Sequence, residues 1–381
     1  MKPYLKWAGG KEGELKEIVP RLPEKIDRYF EPFVGGGAVF LDLAERKTAK
    51  EYFINDISKE LMGLYSYIKH QDSYFFETIS LLNSAWLEVD ELLKDKETEL
   101  TNYYYSYKKT GNQDKLEKNI FRFLWRNGSN LPSLLDERIA YDPQILKELL
   151  DSIVINKYIR TVDTEKKKGE VSKEVLMDII LSSFKGAVYT YFRVIYNKAL
   201  KKDKDISEQL FISSFYFMRE FSFSGMFRFN ADGNFNVPYG GVSYNKKTLN
   251  EKIERMQSEE TQNIFNDTQL YCEDFDSFLS KFDFNENDFL FLDPPYDTEF
   301  SNYNNIDFKE NDQVRLRNKL VTLSSKFMMI IKNTKFIYDL YKDTDFHIEA
   351  FDKNYQVSFQ NRNDKKVTHL VITNYKKKKQ E

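Results

Sequence analysis

Residues 26–58 read IDRYFEPFVGGGAVFLDLAERKTAKEYFINDIS, and this stretch decides the fold. An apolar strand ending near Pro32 runs into three glycines. A helix from about Ala38 to Arg46 follows, then a second strand from Glu51 to Ile54. Strand, tight turn, helix and strand at this spacing make a βαβ unit, and hence a parallel sheet. The glycine turn lets backbone pass close to a ligand, because glycine has no side chain to hold it off. Its spacing fits neither Gly-x-Gly-x-x-Gly nor a Walker loop ending in Gly-Lys-Ser/Thr, so phosphate binding is disfavoured. Asp56, about 20 residues beyond the turn at the end of the second strand, suits a ribose diol. Together these residues point to an adenosine-type ligand without a pyrophosphate. The plain alternative is an ordinary turn and a helix-capping aspartate.

The same α/β alternation returns late in the chain. TQLYCEDF (268–275) reads as a strand, FDSFLSKF as a short helix and DFLFL as a buried strand, since strands covered on both faces are continuously apolar. DQVRLRNKLVTLSSK reads as a helix and FMMIIKN (327–333) as a further strand. FHIEAFDKNYQVSF and VTHLVITNY read as an antiparallel pair closing the sheet. Between the two α/β parts the chain is charged and mostly helical. The reading is therefore a discontinuous Rossmann-like domain, 1–58 and 256–381, with an inserted domain over 59–255. Within the insert, FSFSGMFRFNADGNFNVPYGG (221–241) alternates aromatic and polar residues around Asp232-Gly233, a β-hairpin signal.

Composition bounds the chemistry. The 381 residues carry 57 basic and 60 acidic side chains for a net charge of −3, which neither announces nor excludes a nucleic-acid surface. Cys272 is the only cysteine and the three histidines are scattered, so neither a disulfide framework nor a metal site is expected. No run of about 18 apolar residues and no signal-peptide core is present, and the expectation is a soluble, cytoplasmic protein.

Three short motifs carry the chemistry. NDFLFLDPPYDTEF (287–300) drives a buried strand into Asp293, Pro294, Pro295 and Tyr296. The prolines have no amide hydrogen for the ladder, so the chain leaves the sheet at its carboxyl edge, where open α/β sheets bind ligands. KWAGGK (Lys6, Trp7, Ala8, Gly9, Gly10, Lys11) combines a flat ring, two cations and exposed amides that would suit a ligand carboxylate. EPFVGGG (Glu31, Pro32, Phe33, Val34, Gly35, Gly36, Gly37) is the turn already described.

KWAGGK, EPFVGGGAVF, NDIS, an insert, RFNADGNFNVPYG and DPPY, in that order, resemble the Dam-like DNA adenine methyltransferases. The resemblance covers about 1–60 and 215–375, while 60–210 has no counterpart in the compact members. It implies S-adenosylmethionine as methyl donor, bound by Lys6 to Lys11, Glu31, Pro32, Phe33, Gly35 to Gly37, Asp56, Asp274, Phe275 and the edge of Asp293. It also implies that Asp293 and the carbonyl of Pro294 accept the two hydrogens of an adenine amine. That would localise the nitrogen lone pair for attack, with Pro295 stiffening the turn and Tyr296 stacking on a base flipped from the duplex. By the same resemblance the hairpin reads DNA through Phe223, Ser224, Met226, Arg228, Asn230, Asn236, Pro238 and Tyr239, with Arg228 on a guanine edge. Ser224 stands where the GATC-methylating members carry asparagine and Met226 where leucine is common, which leaves the target sequence open. The partners implied are duplex DNA and, in a bacterial or phage restriction-modification system, a cognate endonuclease. Two alternatives share the residues: the same chemistry on RNA or a protein amide, and a DNA-binding relative that has lost activity. Intact Asp293, Tyr296, Asp56 and Gly35 to Gly37 speak against the second.

Overall fold

The computed structural model describes residues 1–7, 9–295, 308–354 and 366–376. Ala8 and Tyr296 lie outside the described residues. The chain forms two compact units, Met1–His70 with Ser258–Glu381, and Gln71–Gln257.

The first unit is built on a seven-stranded sheet among the described residues. Its strands are β1 (Arg28–Glu31), β2 (Glu51–Asn55), β3 (Thr268–Tyr271), β4 (Asp288–Leu292), β5 (Lys326–Lys332), β6 (His347–Asn354) and β7 (Lys366–Thr373), in the order β3-β2-β1-β4-β5-β7-β6. The strands from β3 to β5 are parallel, and β7 runs antiparallel between β5 and β6. The expected antiparallel pair therefore closes the sheet. From β1 the chain steps outward to β2 and β3 on one side and to β4 and β5 on the other, so the order reverses between β1 and β4. A crevice at the carboxyl ends of strands where the order reverses is the usual ligand position in open α/β sheets.

The apolar runs explain why these strands are central. Phe289 to Leu292 and Phe327 to Ile331 are fully buried, and Leu290, Leu292, Phe327, Met329 and Ile331 share a core with Phe30, Phe53, Phe278 and Ile372. At the opposite end of the sheet Arg28 fixes the start of β4 with a two-pronged pair to the buried Asp288, at 2.8 and 2.6 Å. Several element boundaries differ from the expected ones. The strand expected over 268–275 stops at Tyr271, because Asp274 turns away to cap the helix Phe275–Leu279 by accepting the Asp276 amide. The helix expected over 312–326 spans Glu310–Leu320, and the helix Lys335–Tyr341 was not anticipated. The helix Lys59–His70, expected in the insert, groups with the sheet: its Tyr65 donates to the carbonyl of Gly35 at 2.9 Å.

The second unit is mainly helical, with Ser73–Leu93, Glu97–Thr110, Gln113–Asn127, Pro143–Lys168, Lys173–Leu200 and Glu208–Phe221 as its long members. Local sequence starts them. Asp72, Asn112, Asp142, Ser172 and Ser207 accept amides of the first turn, and Pro143 follows its cap at a position where no amide is needed. Lys173–Leu200 is apolar enough by length and composition to cross a membrane, but 61% of its most apolar window is buried inside the protein. Residues 221–241 form a looser structure than the expected hairpin. Only two isolated antiparallel bridges occur, Ser222 with Tyr239 and Phe229 with Phe235. Left-handed backbone at Ser224 (φ 54°) and Gly225 (φ 64°) interrupts one arm, and Pro238, without an amide hydrogen, cannot donate from the other.

Candidate active site and DNA-reading segment

The glycine turn follows β1 and the Asp-Pro-Pro turn follows β4, so both reach the point where the strand order reverses. Gly35 and Gly37 have φ of 48° and 71°, conformations that suit glycine. A Cβ on Gly35 would stand 2.8 Å from Trp7 Cδ1, and one on Gly37 would stand 2.7 Å from Tyr65 Oη. Trp7 thus lies on the turn from one side and Tyr65 supports it from another. This brings Trp7 of the KWAGGK motif onto the glycine turn. Lys6 is exposed at its edge, and Gly9 adopts φ 78° where its carbonyl accepts from Lys11 Nζ at 2.9 Å.

Lys11 is 3% exposed and forms an ion pair with Asp293, which is itself 20% exposed. Beside them lies Glu31, 2% exposed, its carboxylate accepting from Tyr29 Oη at 2.7 Å. Burial pushes the Glu31 carboxyl well above the usual carboxylate range; Tyr29 opposes this and the Asp293 charge reinforces it. Trp7, Gly10, Lys11, Glu31, Gly35 to Gly37 and Asp293 line a narrow cavity of about 20 Å³.

Asp56 sits at the end of β2. Its Oδ2 accepts the Gly35 amide and its Oδ1 the Ser58 amide, each at 3.0 Å, which leaves each oxygen with acceptor capacity. Burial raises its pKa to about 6, against the pull of those amides. Asn55, the preceding residue, ties three strand ends together: its side chain donates to the carbonyls of Pro32 and Glu273 and accepts the Glu273 amide, all at 3.0 Å. Phe33 meets the buried Phe275 at 5.5 Å between ring centres. Asp274, beyond its capping role, is held by Arg315 at 2.8 Å, and the guanidinium lies 5.0 Å over the Phe275 ring.

In the second unit the 221–241 segment turns a mixed face outward. Phe223, Ser224, Arg228, Asn230, Asn236 and Pro238 are exposed, while Phe227, Phe235 and Val237 are buried. Arg228 Nε reaches Asn236 Oδ1 at 3.4 Å. Met226 is half-buried. Asn230 closes the turn, its side-chain oxygen accepting the Asp232 and Asn234 amides at 3.1 and 2.9 Å. Tyr239 packs between Trp86 and Tyr189 and its hydroxyl donates to Asn245 Oδ1 at 3.2 Å. These two residues shape the segment, whereas the other expected readers face solvent or border it.

A mostly parallel sheet with one reversed strand, a glycine turn at the carboxyl end of β1 and an acid at the end of β2 are features of methyltransferase-type α/β proteins. The chain belongs to the D12 class N6 adenine-specific DNA methyltransferases, whose family model matches residues 7–131 and 149–357. It is 26% identical over 378 residues to the type II methyltransferase M.CviBI of Paramecium bursaria Chlorella virus NC1A, covering 98% of this chain and all of that protein. It is also 26% identical over 384 residues to the type II methyltransferase M1.LlaDCHI of Lactococcus lactis subsp. cremoris, with 98% and 96% covered. Against the DNA adenine methylase of Escherichia coli strain K12 the identity is 32%, over only 130 residues, 33% of this chain and 41% of that one. The reaction is methylation of adenine at N6 in DNA, at specific sites.

Sequence reasoning missed four side chains. Tyr65 had no local signal, nor had Gln313, whose Nε2 donates to the Pro295 carbonyl at 2.9 Å, and Lys11 was expected at the cofactor but not on Asp293. Only Asn55 had a nearby cue, as the asparagine of the NDIS motif next to the aspartate already singled out.

Proposed function

We propose that the chain transfers a methyl group from S-adenosylmethionine to an adenine swung out of a duplex, with the Gln71–Gln257 unit selecting the target. The observation that carries this reading is the convergence of Trp7, the glycine turn, Lys11 and Asp293 on one cavity at the sheet's switch point. The residues suit the cofactor. Glycines leave a cradle that a Cβ would fill, Asp56 retains acceptor capacity for ribose hydroxyls, and Phe33 and Phe275 offer apolar faces with Asp274 at their edge. When bound, the sulfonium supplies an electrophilic methyl carbon.

Asp293 would then accept one hydrogen of the adenine amine and the Pro294 carbonyl the other, holding the nitrogen in line for attack. Lys11, paired with Asp293, would hold that carboxylate at the edge of the cavity. Transfer of the methyl would leave the carbon–sulfur bonding pair on sulfur, and the methylated nitrogen would release its proton to solvent. Arg228 would contact base edges or phosphate from the exposed face of 221–241. The type II relatives give reason to look for a cognate endonuclease.

Purified protein, labelled cofactor and parallel duplex DNA, RNA and protein substrates test the proposal. Label should enter N6 of adenine in duplex DNA alone, and Asp293→Ala should slow single-turnover transfer by orders of magnitude while cofactor affinity stays near that of the parent. Transfer to RNA or protein in preference to duplex, or an active Asp293→Ala enzyme, would overturn it.

A further inference from the structure

The turn after β4 offers two consecutive proline carbonyls, and the protein treats them differently. Gln313, on the helix Glu310–Leu320, is fully buried and donates from Nε2 to the carbonyl of Pro295 at 2.9 Å. Its Oε1 is buried with no hydrogen-bond partner among the described residues. The amide orientation follows: turned over, the oxygen would face the carbonyl oxygen it now binds through nitrogen. Pro294 is also buried, yet no donor reaches its carbonyl among the described residues. Buried carbonyls are ordinarily paired, so one left open beside the Asp293 carboxylate is an acceptor in reserve.

Packing does not account for glutamine at this position. Leu316 and Leu320 on the same helix are buried, and an apolar side chain would fill the space without leaving an orphaned oxygen. What glutamine adds is a donor aimed at one carbonyl. We propose that Gln313 is a positioning residue for methyl transfer: by binding the Pro295 carbonyl it fixes the plane of the peptide after the two prolines and leaves the Pro294 carbonyl, next to Asp293, as the second acceptor for the adenine amine. The proposal rests on the reading of the Asp-Pro-Pro turn given above. Lys11 at Asp293 and Gln313 at Pro295 hold the turn at both ends, while the proline rings restrict the backbone between them.

Gln313→Met keeps the length of the side chain and removes the donor. Gln313→Glu places there a carboxyl that can donate only when protonated, a state that burial favours and acid completes. The full chain is assayed on a cognate duplex, with cofactor and DNA both saturating, in single turnover. Gln313→Met should slow transfer about ten- to hundredfold, the effect of losing one well-aimed buried hydrogen bond. Dissociation constants for cofactor and duplex, and the melting temperature, should stay close to the parent's. Gln313→Glu should regain rate relative to Gln313→Met as the pH falls from 8 to 5.5, a recovery that a purely structural role does not predict. Wild-type rate in Gln313→Met, a loss that only tracks weaker binding or lower melting temperature, or parallel pH profiles for the two variants would overturn the proposal. A wild-type enzyme that leaves adenine unmodified would instead refute the reading of the turn on which the proposal stands.

Discussion

Acidifying the solution from pH 8 to pH 5 should weaken S-adenosylmethionine binding about tenfold, and Asp56→Asn should abolish most of that dependence. With no ligand present, Asp56 has a pKa of about 6, because burial opposes its charge more than the Gly35 and Ser58 amides favour it. A ribose diol bound there would donate to the carboxylate and favour the ionised form, so binding would require a proton to leave at any pH below 6. At pH 5 roughly one molecule in eleven is ionised, which gives the tenfold factor; at pH 8 nearly all are. The sign for the unliganded fold is the reverse. A folded pKa raised above the ordinary 3.8 means this group contributes stability that is complete below that value and is lost as pH rises through about 6. Over pH 6 to 4 the empty protein should therefore gain stability from Asp56 while the cofactor's stabilising effect shrinks. Titration calorimetry at pH 5 to 8, in buffers of differing ionisation heat, reads both the affinity and the proton released. Glu31 titrates nearby, so the asparagine variant supplies the control: its affinity at pH 8 should be lower by about 1.5–3 kcal/mol, the range for a hydrogen bond to a charged group, and its pH profile should be flatter. Equal slopes for parent and variant would refute the assignment of Asp56 to the ribose.

Two further substitutions probe the two units separately. Gly37→Ala puts a Cβ at φ 71° and 2.7 Å from Tyr65 Oη, so denaturant unfolding should show a loss of about 1–3 kcal/mol, partly recovered when Tyr65→Phe is added. Arg228→Ala should reduce the preference for cognate over mismatched duplex by about 1–3 kcal/mol at a single base position, read by competition binding. Equal losses on cognate and random duplexes, with the salt slope reduced by about one, would make Arg228 a phosphate contact instead.

The central sheet was legible because burial on both faces writes itself into sequence as unbroken apolar runs, as at Phe289 to Leu292 and Phe327 to Ile331. The glycine turn was legible for a related reason: Trp7 and Tyr65 leave no room for a Cβ, and three glycines in a row are the trace of that crowding. Interactions between distant segments leave no such trace. Nothing near Lys11 announces Asp293, and nothing near Gln313 announces Pro295. Helix Lys59–His70 was misassigned because its charged, amphipathic pattern looks the same whether its apolar side packs on a sheet or on other helices. What settles its place is Tyr65 on the Gly35 carbonyl.

The segment 221–241 shows where periodicity alone stops short. Phe227, Phe235 and Val237 are buried and Arg228 and Asn236 exposed, in keeping with an alternating pattern, yet a regular ladder does not follow. A ladder needs donors and extended backbone at every step, and this stretch denies both: Ser224 and Gly225 are left-handed, Pro238 has no amide hydrogen, and Asn230 closes the turn with its own side chain. Its inward aromatic residues hold the segment in place of strand pairing. Phe227 lies against Tyr196 and Phe235, and Asn197 binds both the amide and the carbonyl of Phe235. The consequence is an exposed face anchored from beneath by side chains of the helix Lys173–Leu200, so that outward residues can be exchanged without disturbing a hydrogen-bond ladder. Ser224, exposed and already in the conformation that asparagine also tolerates, is such a position, and substitution there should alter target preference sooner than folding.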